Sequence, residues 1–252
     1  MNIGSIDLNR RVIVVAEIGN NHEGSPDLAM NLVDAAASAG VDAVKIQVID
    51  PERLVNRSER ARIEQLTKFR LSMDTIVKMA NKAHDHGMLF MASAFDVESL
   101  AGVSMEIDAV KISSGDLNFV SLLAAAAHID KPILLSTGMS MMADIRRSVD
   151  VITDNLPAGS CIKDKLALLH CVSLYPAPIG ELNLGVISSL RNEFGLTVGY
   201  SDHALGIEAA VASMVFGAQI LEKHFTLDKT RQTFRDHQLS ADAEDMKRLV
   251  EF

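Results

Sequence analysis

Two histidines close apolar runs late in the chain, His203 in LTVGYSDH and His224 in AQILEKHFT. Such an imidazole is either a hydrogen-bonded strand-end residue or a ligand. Two of them on neighbouring strand ends could share a divalent metal if a carboxylate or water completed the shell. Asp202, Glu222 and Asp236 are near enough in sequence to help. Lys45 and Lys111 interrupt two other apolar runs, VDAVKIQV and IDAVKISSG. A lysine in that setting needs a carboxylate, an anionic ligand or an exposed route for its ammonium. Each could form its own salt bridge, or both could face one anion. Ser114-Gly115 and Ser136-Thr137-Gly138 would add hydroxyl and backbone N–H donors suited to phosphate, although Ser-Gly pairs are also common in turns. Glu17 follows the apolar VIVVA, so its carboxylate is either paired with a lysine or held for acid–base work. His22, His170 and His237 are further candidates to assist, whereas His84, His86 and His128 fall on helices or helix ends as surface residues.

These residues need elements that bring them together. Apolar runs of strand length alternate with segments of helical periodicity: RVIVVAEIG (11–19), VDAVKIQV (41–48), MLFMASAF (88–95), IDAVKISSG (107–115), KPILLSTG (131–138), KLALLHCVS (165–173), LTVGYSDH (196–203) and AQILEKHFT (218–226). Between the first two, SPDLAMNLVDAAASAG has Ser25 as N-cap, Pro26 at the first helical position and Gly40 as terminator. Eight such units predict one domain, residues 1–252, folded as a (β/α)8 TIM barrel, with residues 1–10 as a short hairpin over the barrel floor. A doubly wound open sheet is the alternative, but EIGNNHEG is not the glycine-rich fingerprint that would favour it. The barrel carries its own test, because active sites in this fold gather at the C-terminal strand ends. Every run ends in polar residues: Glu17, Lys45 with Gln47, Ser93, Lys111 with Ser114 and Asp116, Ser136 with Thr137, His170 with Ser173 and Tyr175, Ser201 with His203, and Glu222 with His224.

Composition narrows the field. The chain of 252 residues is 48% hydrophobic but only 4% aromatic, which suits buried parallel strands of Leu, Ile, Val, Ala and Met. The net charge of −9, with no basic tract, argues against a nucleic-acid partner. No apolar run approaches the roughly 20 residues of a membrane span, and MNIGSIDLNRR lacks the order of a signal peptide, so a soluble cytoplasmic protein is expected. Cys161 and Cys171 have no metal-ligand spacing and read as ordinary reduced thiols.

In order along the chain, AEIGNNHEG, VKIQ, KISSGD, PILLSTGMS, HCVSLYPAP, GYSDH and LEKHFTLD closely resemble the sialic acid synthase family, which includes N-acetylneuraminate synthases, legionaminate and pseudaminate relatives and spore-coat polysaccharide synthases. The resemblance implies a barrel enzyme that condenses phosphoenolpyruvate with an N-acyl hexosamine aldehyde. The products would be a 3-deoxy-2-keto nonulosonic acid and phosphate, with Mn2+ or Mg2+ as cofactor and a homodimer as the working form. By resemblance, Lys45, Lys111, Ser114 and Ser136-Thr137-Gly138 would hold phosphoenolpyruvate with help from Ser93. Glu17 would be the catalytic carboxylate, and His203 and His224 the metal ligands. Gln47, Tyr175, Glu222 and Asp236 would stand near the sugar.

Some positions depart from the pattern. Some members carry Glu where Asp116 stands and Asn where Ser173 stands, and the usual Gly-Pro-Asp-His reads Phe234-Arg235-Asp236-His237. With the sequence ending at Phe252, the family's C-terminal antifreeze-like domain, which sends an arginine into the partner's sugar site, is expected to be absent. Arg231 or Arg235 is the expected replacement. Two rivals remain: an aldolase with Lys45 or Lys111 as Schiff base, and a non-catalytic or partner-dependent barrel.

Overall fold

A computed structural model describes residues 1–252. Each expected run supplies one strand of a closed parallel barrel: β3 (Ile13–Gly19), β4 (Ala43–Val48), β5 (Leu89–Ala94), β6 (Ala109–Ile112), β7 (Ile133–Ser136), β8 (Leu166–Cys171), β9 (Thr197–Asp202) and β10 (Ile220–His224), with β10 pairing back onto β3. Before them, β1 (Asn2–Ile3) and β2 (Ile6–Asp7) form the antiparallel hairpin. Six of the eight strands stop earlier than the apolar runs do. β6 ends at Ile112, and Ser114–Asp116 turns as a 3-10 helix, which moves those side chains from the sheet to the rim.

Successive residues on a strand point to opposite faces, and this alternation builds the site. The outward set, such as Val14, Ala16, Val44, Ile46, Phe90, Val110 and Leu135, packs beneath the surrounding helices as one continuous core. The inward set divides by height. Low in the barrel it is apolar, with Ile13, Val15, Ala43, Met91, Ala109, Leu134, Leu169 and Ile220 closing around Met1, Ile3 and Leu8 of the hairpin. Burying these hairpin side chains seals the floor. Higher on the same strands, two-residue steps reach Glu17, Lys45, Gln47, Ser93, Lys111, Ser136, Cys171, Ser201, Glu222 and His224.

The first helix, Pro26–Ala39, starts where Ser25 accepts from the Leu28 amide and ends at Gly40 with φ 81°. Met73–Asp85, Val120–His128, Met142–Asn155, Gly185–Phe194 and Glu208–Val215 fall on the helical segments between strands, and Ala243–Val250 follows the last strand. Pro51–Leu54 and Arg60–Phe69 are additional helices after β4. No helix is long and apolar enough to cross a membrane.

Candidate active site

Four charged side chains meet inside the mouth. Lys45 Nζ lies 2.9 Å from Glu17 Oε2, 3.4 Å from Glu222 Oε2 and 3.2 Å from Ser93 Oγ. Lys111 Nζ is held more loosely, 3.6 Å from Glu222 Oε1 and 3.5 Å from the Ile112 carbonyl. Ser201 donates to Glu222 at 2.8 Å, while Gln47 donates to Glu17 at 3.2 Å and accepts from Asn20 at 2.9 Å. Gly19, at φ 53°, lets the chain turn here; a Cβ on it would lie 3.2 Å from Glu17 Oε1.

These contacts push like groups apart in acidity. Burial, reinforced by Glu222, raises the Glu17 carboxyl despite the opposing pull of Lys45. Burial also disfavours an ionised Glu222, but Lys111, Lys45 and the Ser201 hydroxyl outweigh it and bring that carboxyl down to about 2. Lys45 shows the same contest, since burial favours the amine but Glu17 and Glu222 raise its pKa. Lys111 is lowered, because burial and the neighbouring Lys45 outweigh Glu222. The site thus holds one carboxylate kept ionised by the lysines, one carboxyl raised by burial, one lysine raised by its carboxylate partners and one lowered by burial.

These groups face a cavity of about 360 Å3, also lined by Ser113, Ser114, Gly115, Ser136, Cys171 and Ser173. The Ser136 hydroxyl is buried without a partner. Ser114 Oγ accepts from the Gly138 amide at 2.9 Å and lies 2.9 Å from Cys171 Sγ. Two buried cationic side chains, an unpaired hydroxyl and small residues make a pocket for a compact anion. A larger groove of about 590 Å3, with Arg53 and Arg70 in its walls, shares only Gln47 with this cavity and lies outside the mouth.

The opposite wall carries the histidines. His203 Nδ1 donates to the Val172 carbonyl at 2.7 Å, since a carbonyl can only accept; this leaves Nε2 with its lone pair. His224 is buried, and its Nδ1 has no partner. The rings lie 5.7 Å apart between centroids. Burial, with His224 adding to it, takes His203 down to about 4, and burial takes His224 to about 4, so both are neutral at physiological pH. A free imidazole nitrogen braced through a backbone carbonyl and a second, orphaned imidazole suit a divalent ion. No group of three His, Cys, Asp or Glu side chains converges as a closed metal cage, so water and substrate oxygens would complete such a shell. Tyr175 stacks on His203 at 4.2 Å and meets His224 edge-on at 6.1 Å, with the Arg235 guanidinium 4.8 Å above the Tyr175 ring.

Of the residues expected at the site, Glu17, Lys45, Gln47, Lys111, Ser114, Ser136, Ser173, Tyr175, His203, Glu222 and His224 line this cavity. The other five stand behind it or beside it. Ser93 supports Lys45; the Thr137 hydroxyl donates to the Leu169 carbonyl at 3.1 Å; and the Gly138 amide is taken by Ser114. Asp116 sits at the rim, where burial raises its carboxyl to about 6 against the pull of Lys111. Asp236 is buried near His224, whose protonated form it favours, and pairs with Arg235 at 3.3 Å.

Some expected helpers are elsewhere. His170 points outward and bonds the Leu182 carbonyl at 2.7 Å, while His22 and His237 brace the loops after β3 and β10. Arg231 is committed to Glu23 at 2.7 Å, leaving Arg235 as the arginine at the mouth. The sequence marks Cys171 only as an ordinary thiol and gives Ser201 no role beyond a polar strand end; counting in twos from Leu169 and from His203 finds both on the inward face.

Fold and site together define an α/β-barrel enzyme with an anion pocket facing a pair of neutral imidazoles. The NeuB family model matches residues 32–252. An uncharacterized protein of Methanocaldococcus jannaschii is 39% identical over 94% of this chain and 68% of its own length. The N,N'-diacetyllegionaminic acid synthase of Legionella pneumophila is 37% identical over 94% of this chain and 70% of its own. Among solved structures, the N-acetylneuraminic acid (sialic acid) synthetase of Leptospira borgpetersenii superposes with a TM-score of 0.92 at 30% identity, covering all of this chain and 86% of that one. The chain belongs to the NeuB family and is an enzyme of the sialic acid synthase type.

Proposed function

We propose that this enzyme condenses phosphoenolpyruvate with the open-chain aldehyde of an N-acyl hexosamine-type sugar, releasing phosphate and a 3-deoxy-2-keto nonulosonic acid. The observation that carries this reading is the convergence of Lys45, Lys111, Ser114 and Ser136 on a cavity whose far wall is His203 and His224. Lys45 and Lys111 neutralise the phosphate and carboxylate of the enol substrate and stabilise the charge that grows as phosphate departs. Carbon 3 of phosphoenolpyruvate forms the new bond to the aldehyde carbon, and the aldehyde oxygen takes up a proton from solvent water to become a hydroxyl. Water adds at carbon 2, Glu17 accepts the proton it loses, and the carbon–oxygen bond to phosphate breaks. A divalent ion such as Mn2+ or Mg2+, held by His203 and His224, would supply Lewis-acid polarisation of the aldehyde. Gln47, Tyr175, Glu222 and Arg235 orient the sugar, with Arg235 in the part first expected of Arg231 or Arg235. The family resemblance extends this proposal to a cytoplasmic homodimer.

The test is phosphate release from phosphoenolpyruvate with Mn2+ across a panel of N-acyl sugars. Release with at least one sugar is expected. Mn2+ binding without release for any sugar would overturn the proposal. The depressed pKa of Lys111 favours one rival, a Schiff-base aldolase. Borohydride trapping with pyruvate separates the two, since only the aldolase gives a covalent adduct.

A further inference from the structure

The outward faces of the barrel strands are apolar from β3 to β7, through Val14, Ala16, Ile18, Val44, Ile46, Phe90, Ala92, Val110, Ile112, Ile133 and Leu135. On β8, β9 and β10 the pattern breaks, with His170, Tyr200, Asp202 and Lys223 facing the helices. Asp202 immediately precedes His203, and Lys223 immediately precedes His224. Alternation sends each histidine to the mouth and its neighbour to the back of the sheet.

Behind the sheet the two neighbours meet. Lys223 Nζ donates to Asp202 Oδ2 at 2.8 Å and to the Ala204 carbonyl at 2.8 Å. Asp202 Oδ1 accepts from the Ala204 amide at 2.9 Å. The backbone just after His203 is therefore gripped at both polar groups of Ala204, and Lys223 and Asp202 are register partners across β9 and β10. Each is only 1% exposed. The other fully buried ion pairs lie inside the mouth, among Glu17, Lys45, Lys111 and Glu222.

We infer that Lys223 and Asp202 are positioning residues that set the spacing and aim of His203 and His224 from behind the sheet. Neither touches the cavity. Stability alone is a poor reason for a buried ion pair, because apolar side chains of similar size usually hold such a slot as well or better. Two directional bonds to Ala204, with a third locking the ammonium to the carboxylate, fix a backbone segment as packing methyl groups does not. The pair sits behind the one stretch of barrel where the angle of two rings matters. Its consequence for catalysis rests on the proposed role of the two histidines as metal ligands; the spacing itself does not.

The test compares the parent chain with Lys223→Met and Asp202→Asn, the latter keeping an oxygen for the Ala204 amide. Two readouts are taken: Mn2+ affinity, from the signal of free Mn2+ in a titration, and the ring resonances of His203 and His224, assigned with His203→Gln and His224→Gln. Folded variants are expected to lose about tenfold or more in Mn2+ affinity. Both sets of ring signals should shift, with metal-free phosphoenolpyruvate binding retained. A folded variant with ring signals in place and Mn2+ affinity within about twofold of the parent would overturn the inference. Unfolding of both variants would overturn it too, assigning the pair to holding up the barrel. If the parent binds no Mn2+, the metal reading fails while the ring signals still decide the spacing.

Discussion

Glu17 and His224 are register partners across the seam where β10 closes on β3. The first and last strands of the barrel thus contribute, side by side, a carboxyl raised by burial and a neutral imidazole. Their adjacency comes from closure of the sheet and not from nearness in sequence.

Glu17→Gln retains the shape and a polar partner for Gln47 but cannot take a proton. Turnover should fall by about a hundredfold or more. Phosphoenolpyruvate should bind as well or better, since no negative charge can form at this position beside Lys45. Steady-state phosphate release and calorimetric titration would read the two effects separately.

Lys45 and Lys111 differ in what their removal strands. Lys45→Met leaves Glu17 and Glu222 buried without their closest cation and should cost about 3–5 kcal/mol of folding stability. Lys111→Met leaves Glu222 still paired with Lys45 and should cost about 1–2 kcal/mol. Both should weaken phosphoenolpyruvate binding, but only the first should strongly lower the urea midpoint.

Asp116 makes stability depend on pH. Its carboxyl rises from 3.8 to about 6 in the folded chain, chiefly by burial, so the native state holds this proton more tightly than the unfolded state. The contribution is full below pH 3.8 and is lost as pH rises through about 6. Asp116→Asn should therefore stabilise the protein at about pH 7.5 by about 1–2 kcal/mol, a figure reduced for partial solvent screening. The difference should vanish as pH falls toward 3.8, as urea titrations at both ends would show.

Gly138 leaves a space that the anion pocket needs. A Cβ there would lie 2.6 Å from Ser173 Oγ, 2.8 Å from Cys171 Sγ and 2.9 Å from Ser114 Oγ. Gly138→Ala should cost about 1–3 kcal/mol. It should also displace Ser114, weakening phosphoenolpyruvate binding. Adding Cys171→Ala should restore part of that binding by calorimetry.

The barrel was legible because eight apolar runs alternate with helical segments, and the site because each run ends in polar residues. The inward face at each end was harder to read. In LALLHCVS, His170 and Cys171 are both near the strand end; the structure turns the histidine outward and the cysteine, expected only as an ordinary thiol, into the cavity. Thr137 and Gly138 were expected as free donors, but their hydroxyl and amide are used by Leu169 and Ser114. Which backbone group a turn satisfies depends on neighbouring strands far away in the chain. The helix Arg60–Phe69 escaped notice because it is mostly polar, buries only Leu66 and has no side-chain N-cap.

Sealing of the barrel floor by Met1, Ile3 and Leu8 leaves the vessel with one door. The anion pocket lies at its bottom, and Tyr175 and Arg235 stand at the threshold. For a two-substrate reaction housed this way, traffic is last in, first out. In the proposed reaction the small anion would settle before the sugar blocks the passage, and the joined product would back out before another anion enters.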